Sequence, residues 1–426
     1  MRILKFLLIL LIILFFVLLM ISFSFPDLFA LFYVPNMLFG GNIYSQVLAK
    51  KAVCVWLDAT YPPMYYLTVG VYLKVVQFLQ LLPSYLFSIN DCPVFELILD
   101  KRFLFWVKLP YLIIHGLSAF VFSKFFPTNR FKWFLFWLLN PIVIFVCFMF
   151  GQFEIIPAFF IILSLYLAKR EKVYLSFLAL GMGAAYKNFP FLLVFPFFFY
   201  LTKGTKEKLV SLILLILPYV LSLSPYLNKD YLKFAVFSEN TKMLDLGFYL
   251  GETKISVYVA LFVILILAAL TEKVKNFNYL LKYCFAFSLI YFLTSAWGPQ
   301  RFLFLLPTLL LISSQSINIF RLLPVVNIAY FFYFFLVYLA AFDHTLLRPL
   351  FGSVIAFPYI VPSFILPRRI AFSSILAILF GFGLFSFKDE FHPVTIKNRD
   401  IILGFLVIPL YFVLLIYLLF ASGSLG

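Results

Sequence analysis

The sequence predicts an all-α, polytopic transmembrane helical bundle whose large first extracytoplasmic loop carries helices that do not cross the membrane. Three observations carry that prediction. Of 426 residues, 65% are hydrophobic and only 12% are charged, where a soluble domain has about 45–50% apolar and about 25% charged residues. Apolar runs of near membrane-spanning length recur from Leu4 to Phe420, separated by short charged joints. Lys and Arg outnumber Asp and Glu by 33 to 17, and most of that excess sits in the joints. In a soluble protein it would suggest nucleic acid. Here it reads as membrane topology, so the lipid bilayer is the expected partner and nucleic acid is not.

The first element is a span. Arg2 and Lys5 precede an apolar run to Phe25, longer than a signal-peptide core and not followed by an A-x-A cleavage site. It reads as an uncleaved helix with a cytoplasmic N-terminus. The elements after residue 102 decide the loop that follows. Spans or hairpins are expected at about 103–122, 133–150, 154–168, 173–187, 188–201, 209–226, 255–271 and 278–296. The joints SKFFPTNRFK (123–132), KREK (169–172), TKGTKEK (202–208) and EKVKN (272–276) are basic, as is PRR (367–369) further on. The first three alternate with GQFE (151–154) and with the turn around Lys187. All can therefore lie on one face, the cytoplasmic one.

That alternation bears on YPPMYYLTVGVYLKVVQFLQLLP (61–83). If this stretch crossed, three consecutive basic joints would fall outside. It also opens on Pro-Pro, holds four tyrosines of interfacial type, and carries Lys74, Gln77 and Gln80. A lysine at the centre of a span costs about 2.5–3.5 kcal/mol. The stretch is therefore expected to dip or lie at the outer interface. The chain divides as one integral-membrane domain over 1–426: a first extracytoplasmic loop region 26–102, a bundle 103–301 with an outer-face site, and C-terminal helices 302–426. That last part holds four or five further spans, and its weakly charged joints leave its topology open. The location implied is a multi-pass one, in the plasma membrane of a prokaryote or the endoplasmic reticulum membrane of a eukaryote.

Cys54, Cys92, Cys147 and Cys284 show no CxxC spacing, and Cys54 and Cys92 could pair if their shared loop region is oxidising. His115, His344 and His392 lie far apart, with no HExxH, so no metal cluster is expected. Asp27, Asp58 and Glu154 could hold a divalent cation through oxygen ligands, although no spacing demands one.

With this topology a set of costly polar groups meets the outer face. Asp27 follows the first span in SFPDLFALF, and Asp58 precedes the proline pair in WLDATYPP. Gln152 and Glu154 belong to GQFE, Lys108 lies in FWVKLP, Lys187 in GMGAAYKNFPF and Arg301 in WGPQRFLF. Ionisable groups at bilayer depth must be paired or line an aqueous cavity. Gly181, Gly183, Ala184 and Ala185 permit close helix packing around Lys187. Acids and cations on one face suit transfer of a sugar from a lipid-linked phosphate. A carboxylate takes the proton of the acceptor hydroxyl and cations stabilise the phosphate leaving group. The same charges suit a lipid-linked-sugar flippase or a polar-solute transporter, for which the short hairpin around Lys187 would be a broken-helix site.

The order of motifs is more specific. An acid after the first span, YPP in the first outer region, KLP, Asn140-Pro141, GQFE and YKNFPF together resemble the GT-C membrane glycosyltransferases, and most of all the prokaryotic group similar to GPI mannosyltransferase II. The likeness covers about residues 20–200. It implies an integral-membrane transferase that moves a hexose, often mannose, from a polyprenyl- or dolichyl-phosphate donor to a glycan or glycolipid acceptor outside the cytoplasm. By motif position it implies Asp27 as catalytic base, and Lys108 and Lys187 at the family's basic positions. Glu154 stands where an Asp is common, and His115 where an Asp is frequent.

Overall fold

The computed structural model describes residues 2–22, 27–36, 61–82, 100–224, 247–250, 253–273, 275–294, 299–315 and 317–334. Asp58, Cys54, Cys92, PRR and the spans expected after residue 334 lie outside them. The described chain is helix-rich. In order it forms α1 (Arg2–Ser22), α2 (Asp27–Asn36), α3 (Pro63–Phe78), α4 (Lys101–Ser123), α5 (Arg130–Leu138) and α6 (Pro141–Ile144), which runs on as a π-helix over Phe145–Met149. Then come α7 (Ile155–Lys169), α8 (Val173–Tyr186), a 3₁₀ turn (Phe189–Leu193) leading into α9 (Val194–Leu201), and α10 (Thr205–Leu223). A short antiparallel hairpin, β1 (Gly247–Leu250) and β2 (Thr253–Ser256), pairs Gly247 with Ser256. It precedes α11 (Val257–Thr271), α12 (Phe277–Thr294), a 3₁₀ turn (Pro299–Arg301), α13 (Phe302–Ser313) and α14 (Ile317–Phe334). Among the described residues one helix, α4, is apolar and long enough to cross a membrane, and α5 with α6 and its π-helical extension would make a second if the pair, bent by 41°, counts as one.

Short joints between apolar helices force neighbours to run antiparallel, and side-chain contacts tie the basic joints to one end. Lys169 Nζ donates to Phe125 O at 3.0 Å and also lies over the Phe277 ring. Lys275 Nζ sits over Phe199, three residues before the 202–208 joint. Trp133 meets Phe320 edge-on. The joints 123–132, 169–172, 202–208 and 272–276 thus gather at a common basic end.

At the other end the helices stop at different heights. α4 has 23 residues and α7 has 15, and both finish level at the basic end through Lys169 and Phe125. At 1.5 Å per residue, α7 therefore starts roughly 12 Å below the start of α4. α1 is sunk to a similar level, because its Met20 carbonyl accepts from Lys108 Nζ at 3.1 Å, seven residues into α4. Two helices fill the height above. Leu28 of α2 lies against Gly151, while Phe32 packs on Phe103 at 4.7 Å, so α2 climbs toward the start of α4. α3 climbs beside it: Tyr65 Oη lies 3.4 Å from Tyr111 Oη, and Tyr72 Oη donates to Trp106 O at 2.7 Å. Both contacts fall within the first half of α4, so α3 meets α4 in its outer half.

Small residues set the tightest packing. A Cβ on Gly181 would stand 2.1 Å from Leu215 O, so α8 and α10 touch backbone to backbone there. Ser176 Oγ donates across to Ser164 O at 2.9 Å, joining α8 to α7.

Candidate functional site

The chain reaches the sunken floor through the broken helix. Pro141 at the first position of α6 has no N–H to satisfy, and Asn140 Oδ1 accepts from the N–H groups of Ile142 at 3.0 Å and Val143 at 3.3 Å. The break frees the Leu138 carbonyl at the end of α5, and His115 Nε2 takes it at 2.8 Å. The imidazole, edge-on to Phe16 and Phe148, must therefore carry its proton on Nε2. His115 thus serves the helix break and its surroundings are apolar.

Past the π-helix, Gly151 turns the chain with φ +74°. A side chain there would be strained in that left-handed conformation and would stand 3.1 Å from Leu28 Cδ1. Gln152 N then donates to Val146 O at 3.0 Å. This turn delivers Phe153 and Glu154 to the floor. From the other side, α8 ends at Tyr186, and Lys187 takes extended backbone with its N–H on Gly183 O at 3.1 Å.

The two deliveries meet. Lys187 Nζ donates to Glu154 Oε1 at 2.5 Å, with the Glu154 side chain fully buried and that of Lys187 only 16% exposed. Three rings surround the ammonium: Tyr61 at 4.9 Å, Phe153 at 5.2 Å and Phe304 at 5.5 Å from their centroids. Desolvated cation–π contacts of this kind are worth about 2 kcal/mol or more. Tyr65 stacks behind Phe153 at 4.0 Å. Glu154 Oε2 is buried and has no hydrogen-bond partner among the described residues. Glu154 begins α7 without capping it, so its carboxylate serves the lysine and leaves one oxygen for something else.

Four of the other expected residues fall within the described residues, and Asp58 does not. Asp27 is the first residue of α2, adjacent in the chain to Leu28, so its backbone starts at the level of Gly151. Gln152 is fully buried two residues before Glu154. Arg301 precedes α13 one turn ahead of Phe304, and its Nη1 donates to Tyr291 Oη at 3.4 Å. Phe189 bridges the two, stacked on Phe304 and packed on Tyr291. Lys108 is fully buried and donates to Met20 O and, at 2.8 Å, to Phe148 O. It ties the end of α1 to the π-helix, the two segments that lead to Asp27 and to Glu154.

Sequence reasoning missed the aromatic wall. Tyr61 was legible only as part of YPP, and Phe153 as the variable letter of GQFE. Phe304 carries no sequence signal, since a phenylalanine in an apolar helix is indistinguishable from core. Among the described residues no three His, Cys, Asp or Glu side chains come together as metal ligands, and Cys147 and Cys284 are buried free thiols. Comparison with known protein families and with curated proteins finds no match.

Proposed function

We propose that this chain is a multi-pass membrane glycosyltransferase that moves a hexose from a polyprenyl- or dolichyl-phosphate donor to a glycan or lipid-linked acceptor on the extracytoplasmic face. The observation that carries the reading is the sunken floor, where Glu154 and Lys187 pair inside an aromatic enclosure beside the start of the helix that opens with Asp27. A buried ion pair is a poor stabiliser, because desolvating both charges offsets most of their attraction. Its presence opposite the basic end supports a chemical role.

In this reaction the acceptor hydroxyl oxygen attacks the anomeric carbon as the bond from that carbon to the phosphate oxygen breaks. The electron pair leaves with the polyprenyl phosphate, and the acceptor proton passes to the Asp27 carboxylate. The anomeric centre inverts. Lys187, already desolvated and aimed, and Arg301 stabilise the charge developing on the leaving phosphate. Glu154 Oε2 and Gln152 orient sugar or acceptor hydroxyls. Lys108 acts from behind as a positioning residue. Helices α2 and α3 cover the floor, keep water out and leave an aromatic surface for the prenyl chain. A central test is Asp27→Asn. Transfer of labelled sugar from polyprenyl phosphate to a glycan should fall at least about a thousandfold while the detergent-purified protein keeps its helix content. Full transfer by that variant removes Asp27 from the mechanism.

The 41° break between α5 and α6 favours a second reading, a lipid-linked-sugar flippase or polar-solute transporter, since broken helices line transporter sites. The same labelled donor separates the two: label on a new glycan supports transfer, and label that only changes leaflet supports transport.

A further inference from the structure

At the basic end, away from the floor, a groove of about 330 Å³ opens between α1, α4 and α5. Ile9, Phe120, Phe131 and Phe134 line it, and Lys124 and Arg130 stand with them at its edge. Lys124 Nζ lies 4.5 Å above the Phe120 ring, and neither cation makes an ion pair among the described residues. The positive charge thus lies beside an apolar trough with no acid paired to it among the described residues. Exposed apolar surface adjoins it: Ile113, Leu117 and Phe120 lie along one face of α4, and Ile13 is exposed one turn from Ile9 on α1.

We infer that this groove is a binding site for an anionic phospholipid of the leaflet at the basic end. Lys124 and Arg130 hold the headgroup phosphate, and an acyl chain lies in the trough. The inference rests on the reading of the chain as a membrane protein, and it is independent of the transfer chemistry. Charge complementarity selects an anion. The apolar lining selects an amphiphile over free phosphate, which would gain nothing from four hydrophobic side chains. Arginine supplies a forked pair of donors that matches phosphate oxygens, and the lysine adds a point charge.

The test uses the full chain, extracted from membranes and held in a neutral detergent, with phosphatidylglycerol, phosphatidylcholine or inorganic phosphate added and binding counted by native mass spectrometry. Phosphatidylglycerol should bind in preference to phosphatidylcholine. Lys124→Gln with Arg130→Gln should weaken it about 30-fold, the sum expected of two cations at a lipid surface. Lys206→Gln with Lys208→Gln, exposed at the same end but outside the groove, should leave it unchanged. Three outcomes would overturn the site: equal binding of both lipids, equal losses in both double variants, or displacement of phosphatidylglycerol by millimolar phosphate. If the protein leaves washed membranes at alkaline pH without detergent, the membrane reading itself fails and takes the lipid site with it.

Discussion

At the scale of single residues, the floor is built from groups that are costly alone and tolerable together. Glu154 is fully buried and Lys187 nearly so, and the attraction of each for the other offsets much of what desolvating them costs. Removing one partner strands a buried charge, which costs about 3–5 kcal/mol, whereas removing both leaves none to strand. Glu154→Gln and Lys187→Met should each lower the thermal unfolding temperature in detergent, and the double variant should recover most of that loss. Additive losses in the double-mutant cycle would mean that the two groups are not coupled. Transfer activity should not recover in the double variant, because its cation is gone.

At the scale of elements, the site depends on helices that end where they do. Gly181 lets α8 lie directly on α10 and Gly183 lets it approach Phe160 of α7, so Lys187 arrives at the level of the turn that presents Glu154. Gly181→Ala would press a methyl group against the Leu215 carbonyl, which is backbone and cannot rotate away. That variant should lose stability at the upper end of the overpacking range, about 3 kcal/mol. Gly204→Ala, with nothing within 4 Å, should lose far less, and thermal denaturation of the two side by side checks it. The broken helix has a comparable logic. Asn140, Pro141 and His115 together satisfy the backbone groups that a break exposes, and this lets the π-helix and Gly151 turn the chain roughly 12 Å short of the outer start of α4.

At the scale of the whole molecule, the heights of the helices separate a basic end from a recessed opposite end. α3 climbs beside only the outer half of α4, which bears directly on whether residues 61–83 cross. Single cysteines at Lys74 and Lys206 should label from opposite sides of a sealed vesicle. Labelling of both from one side would put Lys74 on the basic face and overturn the reading that residues 61–83 stay at the outer end.

Much of this was readable from residue order. Apolar runs and basic joints located the helices within a few residues, because hydrophobic periodicity and chain-stopping charges are local. The expected span 133–150 departs most, as Asn140-Pro141 splits it, and the signal for that split was present in the dipeptide. GQFE and YKNFPF were legible as sites because an ion in an apolar stretch is conspicuous in one dimension. Their partnership was not, since 33 residues separate Glu154 from Lys187 and nothing local couples them. Equally invisible were the rings around the ammonium and the engagement of Lys108 with backbone carbonyls, which a lysine in a row of letters does not declare. The sequence alone determined a helix-rich, strongly apolar chain with its cations clustered in short joints and a short set of ions worth explaining. Only the tertiary structure decided which ions meet. Burial depth and pairing arise from helices of unequal length packed side by side, a property of the assembly that no single segment contains.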